Sequence, residues 1–455
     1  MRLREAATAL AASFSGDDVG FRGVSTDTRT LDPGQMFVAI RGPRFDAHEL
    51  LADARRRGAA AAMIEREVAD PLPRLRVADT RAALGDLAAH WRGKFRLPVI
   101  AVTGSNGKTT VKEMIATILG RSGDVLMTRG NLNNEIGVPL TVFGLGAEHR
   151  YGVIEMGANH PGEIARLCRM AHPTVAVITL CAPAHLEGFG TLEGVARAKG
   201  EIIAALPDDG IAVINCDDDY APLWRDLAGR RRVVAFGFGA DADVRARIDG
   251  AAATATRFRL TLPGGGGDVA LPLPGRHNVM NALAAAACAH AVGIDGADIR
   301  AGLEAVRAVH GRLEIVRGRG GATVIDDTYN ANPSSLAAVL DVLAGYPGER
   351  RLVLGDMGEL GAGAAAMHRQ AGVLARQKGA HRVYALGDLA RMAAQAFGGG
   401  GNHYGDLDGL LAAVVADLRP DVTVLVKGSR SMRMERVVAA LAAGGGAPTE
   451  PAAEG

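Results

Sequence analysis

The sequence contains 455 residues, which is enough for about two to four domains with cores of their own. Lys and Arg number 51 and Asp and Glu number 50, so the formal net charge of +1 provides no overall field toward nucleic acid or an anionic membrane. The N-terminus lacks a basic segment followed by an apolar run, and no stretch of about 18 apolar residues occurs, so we expect neither a signal peptide nor membrane insertion. The four cysteines are far apart and show no CxxC spacing, which favours reduced thiols in a cytoplasmic protein.

Residues 1–95 are predicted to form a small N-terminal α/β domain. Its predicted elements are strands at 23–25, 36–40 and 60–64 and helices at 48–57 and 81–91. Two polar clusters, at 25–29 and 41–48, combine arginine with hydroxyl or carboxylate side chains beside strand ends. Such groups can hold a phosphorylated sugar or a nucleobase. The same residue types also build ordinary turns and caps, so each cluster alone leaves both interpretations open.

Residues 96–310 alternate apolar strands with helical runs, as expected of a mostly parallel sheet. The predicted strands are 99–102, 125–127, 152–155, 175–179, 211–215 and 233–236. The first strand leads into a turn with Gly104 and Gly107, and a helix begins at Lys108. Glycines let the backbone wrap around a phosphate, the helix N-terminus adds partial positive charge, and Lys108 adds a full charge. With Thr109 placed to ligate magnesium, this T-G-x-x-G-K-T-T form of the P-loop predicts an ATP site, although it lacks the first glycine of the strict pattern.

Polar residues near the carboxyl ends of these strands are further candidates, because ligands gather there in parallel sheets. Glu155 ends a strand, where a carboxylate can hold a second metal ion or order its water. His185 lies in a loop, where a lone histidine is more often a solvated or capping side chain. Lys199, taken alone, would be a solvated helix lysine. The amide-rich loop 131–139 is either a turn nest or a polar-ligand site.

Residues 311–441 form a third predicted α/β unit without a P-loop of its own. Its predicted elements are strands at 323–325, 352–354, 383–386 and 422–426 and helices at 334–343, 367–378, 388–397, 407–418 and 434–441. Lys427, Ser429 and Arg430 follow the last strand and offer two cations and a hydroxyl, which fits carboxylate recognition. We therefore expect a lid or an acceptor-substrate domain. The composition of 442–455 predicts a disordered tail.

Motifs along almost the whole chain resemble those of the Mur ligase family. The segments that carry the likeness are 25–29, 44–48, 103–110, 155–159, 184–190, 198–202, 277–278, 326–333, 354–357 and 426–432. The resemblance implies a UDP-substrate domain at 1–95, a central ATPase at 96–310 and a Rossmann-like domain at 311–441 that brings the incoming dipeptide.

The likeness is strongest to the family branch that adds D-alanyl-D-alanine. It implies ATP-dependent amide formation through an acyl phosphate, which joins this dipeptide to UDP-N-acetylmuramoyl tripeptide in peptidoglycan precursor synthesis. The implied products are the UDP-linked pentapeptide, ADP and phosphate. The implied cofactors are ATP, Mg²⁺ and a carbamylated Lys199, and we expect a monomer in the cytoplasm.

The resemblance also implies roles for single residues of this chain. The implied catalytic residues are Lys108, Glu155, His185 and Lys199. The implied metal ligands are Thr109, Glu155, His185 and the carbamate of Lys199. The implied ATP contacts are Gly104, Ser105, Asn106, Gly107, Lys108, Thr109, Thr110, Asn281, Arg312 and Asp327. The implied UDP-substrate contacts are Ser25, Thr26, Asp27, Arg29, Arg44, Asp46, His48, Asn133 and Asn134. The implied contacts to the acceptor dipeptide are Asn330, Asn332, Lys427, Ser429 and Arg430.

Three alternatives remain open on the sequence. Two are enzymes, a sister ligase that adds the third amino acid and a ligase similar to folylpolyglutamate synthase. The third is a nucleotide-binding switch or scaffold that uses the P-loop without ligation. Segment 329–333 favours the dipeptide-adding branch, because the Asp-Asn-Pro-Arg segment typical of the third-residue branch does not occur. Ala47 replaces a usual glycine, and Leu180 and Cys181 occupy a stretch often rich in asparagine, which affects only local loop shape.

Overall fold

Three β-sheets, each flanked by helices, organise the computed structural model, which describes residues 1–43 and 45–444. This arrangement confirms the predicted α/β fold class. Across the described residues, no helix is long and apolar enough to span a membrane. The predicted contact residue Arg44 and the part of the predicted tail beyond Gly444 lie outside the described residues.

The N-terminal sheet has five strands in the order β1-β5-β4-β3-β2. The strands are β1 (Ser13–Ser15), β2 (Val24–Ser25), β3 (Met36–Val38), β4 (Ala61–Ile64) and β5 (Arg74–Arg76). The helices are α1 (Leu3–Ala9), α2 (Leu51–Arg56) and α3 (Thr80–Arg92). Only the edge strand β1 is antiparallel to its neighbour. Asp79 begins α3 by accepting hydrogen bonds from the backbone N–H groups of Arg81 and Ala82.

The central sheet has nine strands in the order β14-β13-β12-β11-β10-β9-β6-β8-β7. The strands are β6 (Val99–Thr103), β7 (Asp124–Met127), β8 (His149–Glu155), β9 (Val175–Ile178), β10 (Ile211–Asn215), β11 (Arg232–Gly237), β12 (Val244–Ala251), β13 (Thr256–Leu262) and β14 (Gly265–Leu271). The helices are α4 (Lys108–Leu119), α5 (Gly137–Val142), α6 (Glu163–Ala171), α7 (Leu186–Phe189), α8 (Leu192–Ala204), α9 (Ala221–Ala228), α10 (Arg276–Ala291) and α11 (Gly296–Glu304). The sheet is parallel from β7 to β12, and β12, β13 and β14 form an antiparallel extension that the sequence reading did not predict.

The C-terminal sheet has six strands in the order β15-β16-β20-β17-β18-β19, and only β15 is antiparallel. The strands are β15 (Glu314–Arg317), β16 (Thr323–Asp327), β17 (Glu349–Gly355), β18 (Arg382–Leu386), β19 (Gly401–Tyr404) and β20 (Val422–Lys427). The helices are α12 (Pro333–Ala344), α13 (Ala364–Gln377), α14 (Ala390–Phe397), α15 (Leu407–Ala416) and α16 (Glu435–Leu441). The backbone N–H of Ala443 donates to the carbonyl of Arg317 at 2.8 Å, so the first residues of the predicted tail contact this sheet.

The middle of the central sheet is buried on both faces. Strand β6 consists of apolar and β-branched residues and is fully buried, as expected of a parallel strand covered by helices. On one face, α4 packs against the alanine-rich α10, whose small side chains allow close approach to the sheet. On the other face, α3 of the N-terminal unit shares an apolar core with α6. The carboxyl ends of β6, β8 and β9 lead into loops at one edge of the sheet. Ligands bind at this edge in such sheets.

Candidate functional site

The turn between β6 and α4 has the shape of a phosphate-binding loop. Gly107 precedes α4 with a φ of 81°, and a Cβ there would lie 2.4 Å from Oδ1 of Asn281. The hydroxyl of Ser105 donates to the carbonyl of Ala182 at 2.9 Å, and the hydroxyl of Thr179 donates to the carbonyl of Asn106 at 2.5 Å. These bonds fix the turn over the end of β9. The backbone is thus held so that a helix N-terminus faces open space.

Lys108 lies beside this turn without a carboxylate partner among the described residues. Its Nζ donates to the carbonyl of Gly104 at 2.9 Å. Burial lowers the pKa of Lys108, and the nearby carboxylate of Glu155 partly offsets this effect. A partly buried cation that lacks an ion pair is suited to bind an anionic ligand such as a phosphate.

Thr109 and Glu155 form a cluster of oxygen atoms next to the loop. The Thr109 hydroxyl donates to Oε2 of Glu155 at 2.9 Å, and the amide of Asn133 donates to Oε1 of the same carboxylate at 2.8 Å. The backbone N–H of Glu155 donates to the hydroxyl of Thr128 at 3.0 Å, which anchors the end of β8. Hydroxyl and carboxylate oxygens at this separation suit a hard divalent cation such as Mg²⁺.

Arg312 extends from the start of the C-terminal unit into this cluster. Its Nη2 donates to the Thr109 hydroxyl at 2.9 Å, and its guanidinium carbon lies 4.1 Å from the centre of the Tyr329 ring. The Nε atom of Arg312 is buried and has no hydrogen-bond partner within the described ranges. This arginine therefore keeps an unused donor at the phosphate loop.

Asn106 of the same loop is bound to the beginning of α12. Nδ2 of Asn332 donates to Oδ1 of Asn106 at 2.7 Å, and Nδ2 of Asn106 donates to the hydroxyl of Ser334 at 2.6 Å. Asn332 also caps α12 by accepting from the backbone N–H of Ser335 at 2.9 Å. One side chain thus stabilises a helix end and joins the C-terminal unit to the phosphate loop.

The predicted acceptor residues lie at the carboxyl ends of β16 and β20. Lys427 is buried and forms an ion pair with Asp327, and its Nζ also donates to the carbonyl of Asn330 at 2.9 Å. The Ser429 hydroxyl accepts from the backbone N–H of Gly358 at 2.5 Å. Arg430 is less constrained, because its contact with Glu435 is 3.5 Å long.

His185 faces a carboxylate of the C-terminal unit. Its Nδ1 lies 2.5 Å from Oε2 of Glu359. This nitrogen is buried and makes no aligned hydrogen bond to any described residue. Both His185 and Glu359 have positive φ angles, of 53° and 60°.

Lys199 is buried inside α8 with 3% of its surface exposed. Its pKa is lowered to about 7, mainly by burial and to a smaller extent by the positive charge of Lys108. Lys199 is not among the described residues that line the cavity beside the phosphate loop. Its role as a metal ligand stays a prediction.

A cavity of about 1220 Å³ joins these groups. The predicted residues that line it are Ser105, Asn106, Gly107, Lys108, Thr109, Thr110, Asn133, Asn134, Glu155, His185, Asn281, Arg312, Asp327, Asn330, Asn332, Lys427, Ser429 and Arg430. The central and C-terminal units both contribute, so the cavity lies at their junction. Gly104 lies behind the loop, where a Cβ would come within 1.8 Å of the Thr179 hydroxyl oxygen.

The predicted contacts in the N-terminal unit do not line this cavity. They are Ser25, Thr26, Asp27, Arg29, Asp46 and His48. Asp27 and Arg29 form an ion pair at 2.7 Å. His48 is buried, with Nδ1 2.6 Å from Oδ1 of Asp46 and Nε2 accepting from the backbone N–H of Glu65 at 3.0 Å. Both ring nitrogens are thus engaged inside the unit.

Sequence reasoning missed two features at the junction. It gave Glu359 no role, although this residue lies in a polar loop after a predicted strand. It also gave no role to Tyr329, whose ring lies beneath Arg312. A different group with metal-ligand chemistry, His310, Glu314 and Asp326, has its ligand atoms within 4.8 Å of one another and was not predicted either. No signal in the sequence separates that group from ordinary turn and strand residues.

Three family descriptions match successive parts of the chain. Residues 20–92 match the Mur ligase family catalytic domain, residues 102–289 the Mur ligase middle domain, and residues 311–430 the Mur ligase glutamate ligase domain. Together they cover more than half of the sequence.

Whole-length relatives agree with these matches. The chain is 45% identical to a UDP-N-acetylmuramoyl-tripeptide--D-alanyl-D-alanine ligase of Escherichia coli, over 95% of this chain and 96% of the relative. It is 36% identical to the enzyme of the same name from Bacillus subtilis, over 91% and 92% of the two chains. A crystal structure of MurF from Acinetobacter baumannii matches with a TM-score of 0.91 at 36% identity, over 96% of this chain and 97% of that chain. MurF ligase from Thermotoga maritima, in complex with ADP, matches with a TM-score of 0.81 at 29% identity, over 93% and 97%. The chain belongs to the Mur ligase family.

Proposed function

We propose that this chain is an ATP-dependent ligase that joins D-alanyl-D-alanine to UDP-N-acetylmuramoyl tripeptide. The observation that carries the proposal is the cavity in which a phosphate-binding loop of one unit faces Lys427 and Arg430 of another. The substrates are those in the names of the relatives from Escherichia coli and Bacillus subtilis. The products are the UDP-linked pentapeptide, ADP and phosphate.

ATP binds with its phosphates at the turn before α4. The helix N-terminus and Lys108 supply positive charge, and the unused Nε of Arg312 offers a further donor. Asn281 lies against Gly107. We assign it to adenine binding because it resembles the asparagine that contacts adenine in the Mur ligase family. Arg312 would hold the nucleotide between the central and C-terminal units. Enclosing the site in this way would exclude water that could hydrolyse an acyl phosphate.

The residues beside the loop fit a magnesium ion. Thr109 and Glu155 provide oxygen atoms 2.9 Å apart. The buried Nδ1 of His185 lacks an aligned hydrogen-bond partner among the described residues, so the ring can rotate toward a ligand. When bound, Mg²⁺ would neutralise charge between the attacking carboxylate and the γ-phosphate. Thr109, Glu155 and His185 would hold it.

Lys199 is proposed to act as a carbamate. With its pKa lowered to about 7 by burial, a substantial fraction of the amine is uncharged near neutral pH. The uncharged amine is the form that adds CO₂. The nearby positive charge of Lys108 disfavours the ammonium form of Lys199. The same charge favours an anionic carbamate at this position.

The reaction proceeds in two transfers. A carboxylate oxygen of the tripeptide attacks the γ-phosphorus, ADP leaves, and the acyl phosphate forms. The dipeptide amine then attacks the carbonyl carbon, phosphate leaves with that oxygen, and the amine loses a proton. Lys108 and Arg312 stabilise charge in the first transfer. Arg430 binds the carboxylate of the dipeptide, because Lys427 is already paired with Asp327.

The UDP-substrate is proposed to contact the N-terminal unit. His48 and Asp46 are committed to each other and to backbone, so their part is to shape the loop before α2. Ser25, Thr26 and Arg29 remain the candidates for direct contact. We also propose that the enzyme is a monomer in the cytoplasm.

The test is ADP release by the purified protein with ATP and Mg²⁺. One reaction contains UDP-N-acetylmuramoyl tripeptide and D-alanyl-D-alanine, and the other contains UDP-N-acetylmuramoyl dipeptide with diaminopimelate or lysine. Turnover only with the first pair is expected. Turnover only with the second pair would assign the chain to the sister branch, and ADP release without any acceptor would favour a nucleotide switch.

A further inference from the structure

The carboxylate of Glu359 approaches a candidate metal ligand from the opposite unit. Glu359 follows β17 of the C-terminal sheet, and its Oε2 lies 2.5 Å from Nδ1 of His185, which precedes α7 in the central unit. The side chain of Glu359 is 55% exposed and that of His185 is 24% exposed. No other ion pair of Glu359 occurs within the described residues. Its carboxylate is therefore directed to a single partner.

Both residues of this pair have a left-handed backbone. His185 has a φ of 53° and Glu359 a φ of 60°, and neither is a glycine. Such a conformation is unfavourable for an L-residue. Two strained residues that meet across a junction indicate that their positions are held by the structure around them.

The loop that carries Glu359 is fixed to the C-terminal unit. The backbone N–H of Met357 donates to Nε2 of His368 at 2.9 Å, and the backbone N–H of Gly358 donates to the Ser429 hydroxyl at 2.5 Å. Glu359 thus moves with the C-terminal sheet. The distance between the Glu359 carboxylate and His185 therefore depends on how the central and C-terminal units are placed relative to each other.

We propose that Glu359 is a positioning residue that orients His185 for metal binding when the C-terminal unit closes on the central unit. A histidine that binds a metal through one ring nitrogen usually donates the N–H of the other nitrogen to a carboxylate or carbonyl. Glu359 approaches Nδ1, which leaves Nε2 for the metal. Because the carboxylate and the histidine belong to different units, this contact forms only where the two units meet.

This inference rests on the proposed function, since that function supplies the metal at His185. The contact is short but unaligned, and a small rotation of the ring would complete the hydrogen bond. The carboxylate would then fix the tautomer and increase the basicity of Nε2.

The test compares Glu359→Ala and Glu359→Gln with Glu187→Ala. Glu187 is an exposed glutamate two residues after His185, and it does not line the cavity. The first readout is the ¹⁵N spectrum of the His185 imidazole in metal-free protein, assigned with His185→Gln. The wild type and Glu187→Ala should show the Nδ1–H form, Glu359→Ala should lose it, and Glu359→Gln should retain part of it.

The second readout is the Mg²⁺ concentration that gives half-maximal ADP release. Loss of a carboxylate that supports a metal ligand typically weakens metal binding about 10-fold to 100-fold, so Glu359→Ala should raise this concentration by at least about 10-fold. Equal Mg²⁺ requirements and equal His185 spectra for Glu359→Ala and Glu187→Ala would overturn the inference. A wild type that does not ligate would refute the proposed function instead, and the imidazole spectrum would still decide the role of Glu359.

Discussion

Replacement of Gly107 by alanine tests whether the phosphate loop and Asn281 act as a unit. The φ of 81° costs an L-residue roughly 1–2 kcal/mol. The new Cβ would also lie 2.4 Å from Oδ1 of Asn281, so this side chain must move and give up its 3.2 Å hydrogen bond to Asn278. Loss of that bond adds about 0.5–1.5 kcal/mol. We expect Gly107→Ala to lower the free energy of unfolding by roughly 2–3 kcal/mol in urea denaturation.

Gly162→Ala is the matched control. Gly162 also precedes a helix, with a φ of 84°, but a Cβ there would meet nothing within 4 Å. It should show only the backbone cost of roughly 1–2 kcal/mol and an unchanged KM for ATP. Gly107→Ala should raise the KM for ATP by about 10-fold, because Asn281 is displaced. Equal stability losses and an equal KM for ATP in both variants would refute the reasoning.

Three other substitutions probe the same site. Lys199→Met should raise the free energy of unfolding, measured by urea denaturation, more at pH 7.5 than at pH 9.5. An equal increase in this free energy at the two pH values would contradict a depressed pKa of Lys199. In the wild type the unfolded lysine keeps its proton up to about pH 10.5 and the folded one releases it near pH 7, so wild-type stability rises by up to about 1.4 kcal/mol per pH unit between these values. Lys108→Ala should reduce phosphate release at least about 100-fold, since it removes the cation at the phosphate loop, and unchanged release would show that the phosphate site is elsewhere. Asn332→Ala should lower the free energy of unfolding by about 1 kcal/mol through the lost cap of α12, while Asn402→Ala at an exposed strand should not.

Much of the fold follows from local sequence patterns. Buried apolar runs predict the parallel strands, and the prediction for β10 coincides with the observed Ile211–Asn215. The antiparallel extension was missed, although Thr256–Leu262 alternates apolar and polar residues with a period of two. The glycine-rich segment 263–267 obscured this hairpin, because glycines inside a pattern suggest a loop rather than strands.

The candidate site was predictable where it depends on sheet topology. Parallel strands bring their carboxyl ends to one edge, so Thr109, which follows β6, meets Glu155, which ends β8. Contacts between units depend instead on how the sheets are placed, and sequence patterns contain no such information. The pairs of Arg312 with Thr109 and of His185 with Glu359 are of this kind.

The central claim is ligation through an acyl phosphate, and isotope transfer tests it directly. UDP-N-acetylmuramoyl tripeptide labelled with ¹⁸O in its terminal carboxylate is incubated with ATP, Mg²⁺ and D-alanyl-D-alanine, and the released phosphate is analysed by mass spectrometry. Because the attacking carboxylate oxygen leaves with phosphate, we predict one ¹⁸O atom in phosphate for each amide formed. Amide formation with unlabelled phosphate would contradict the account.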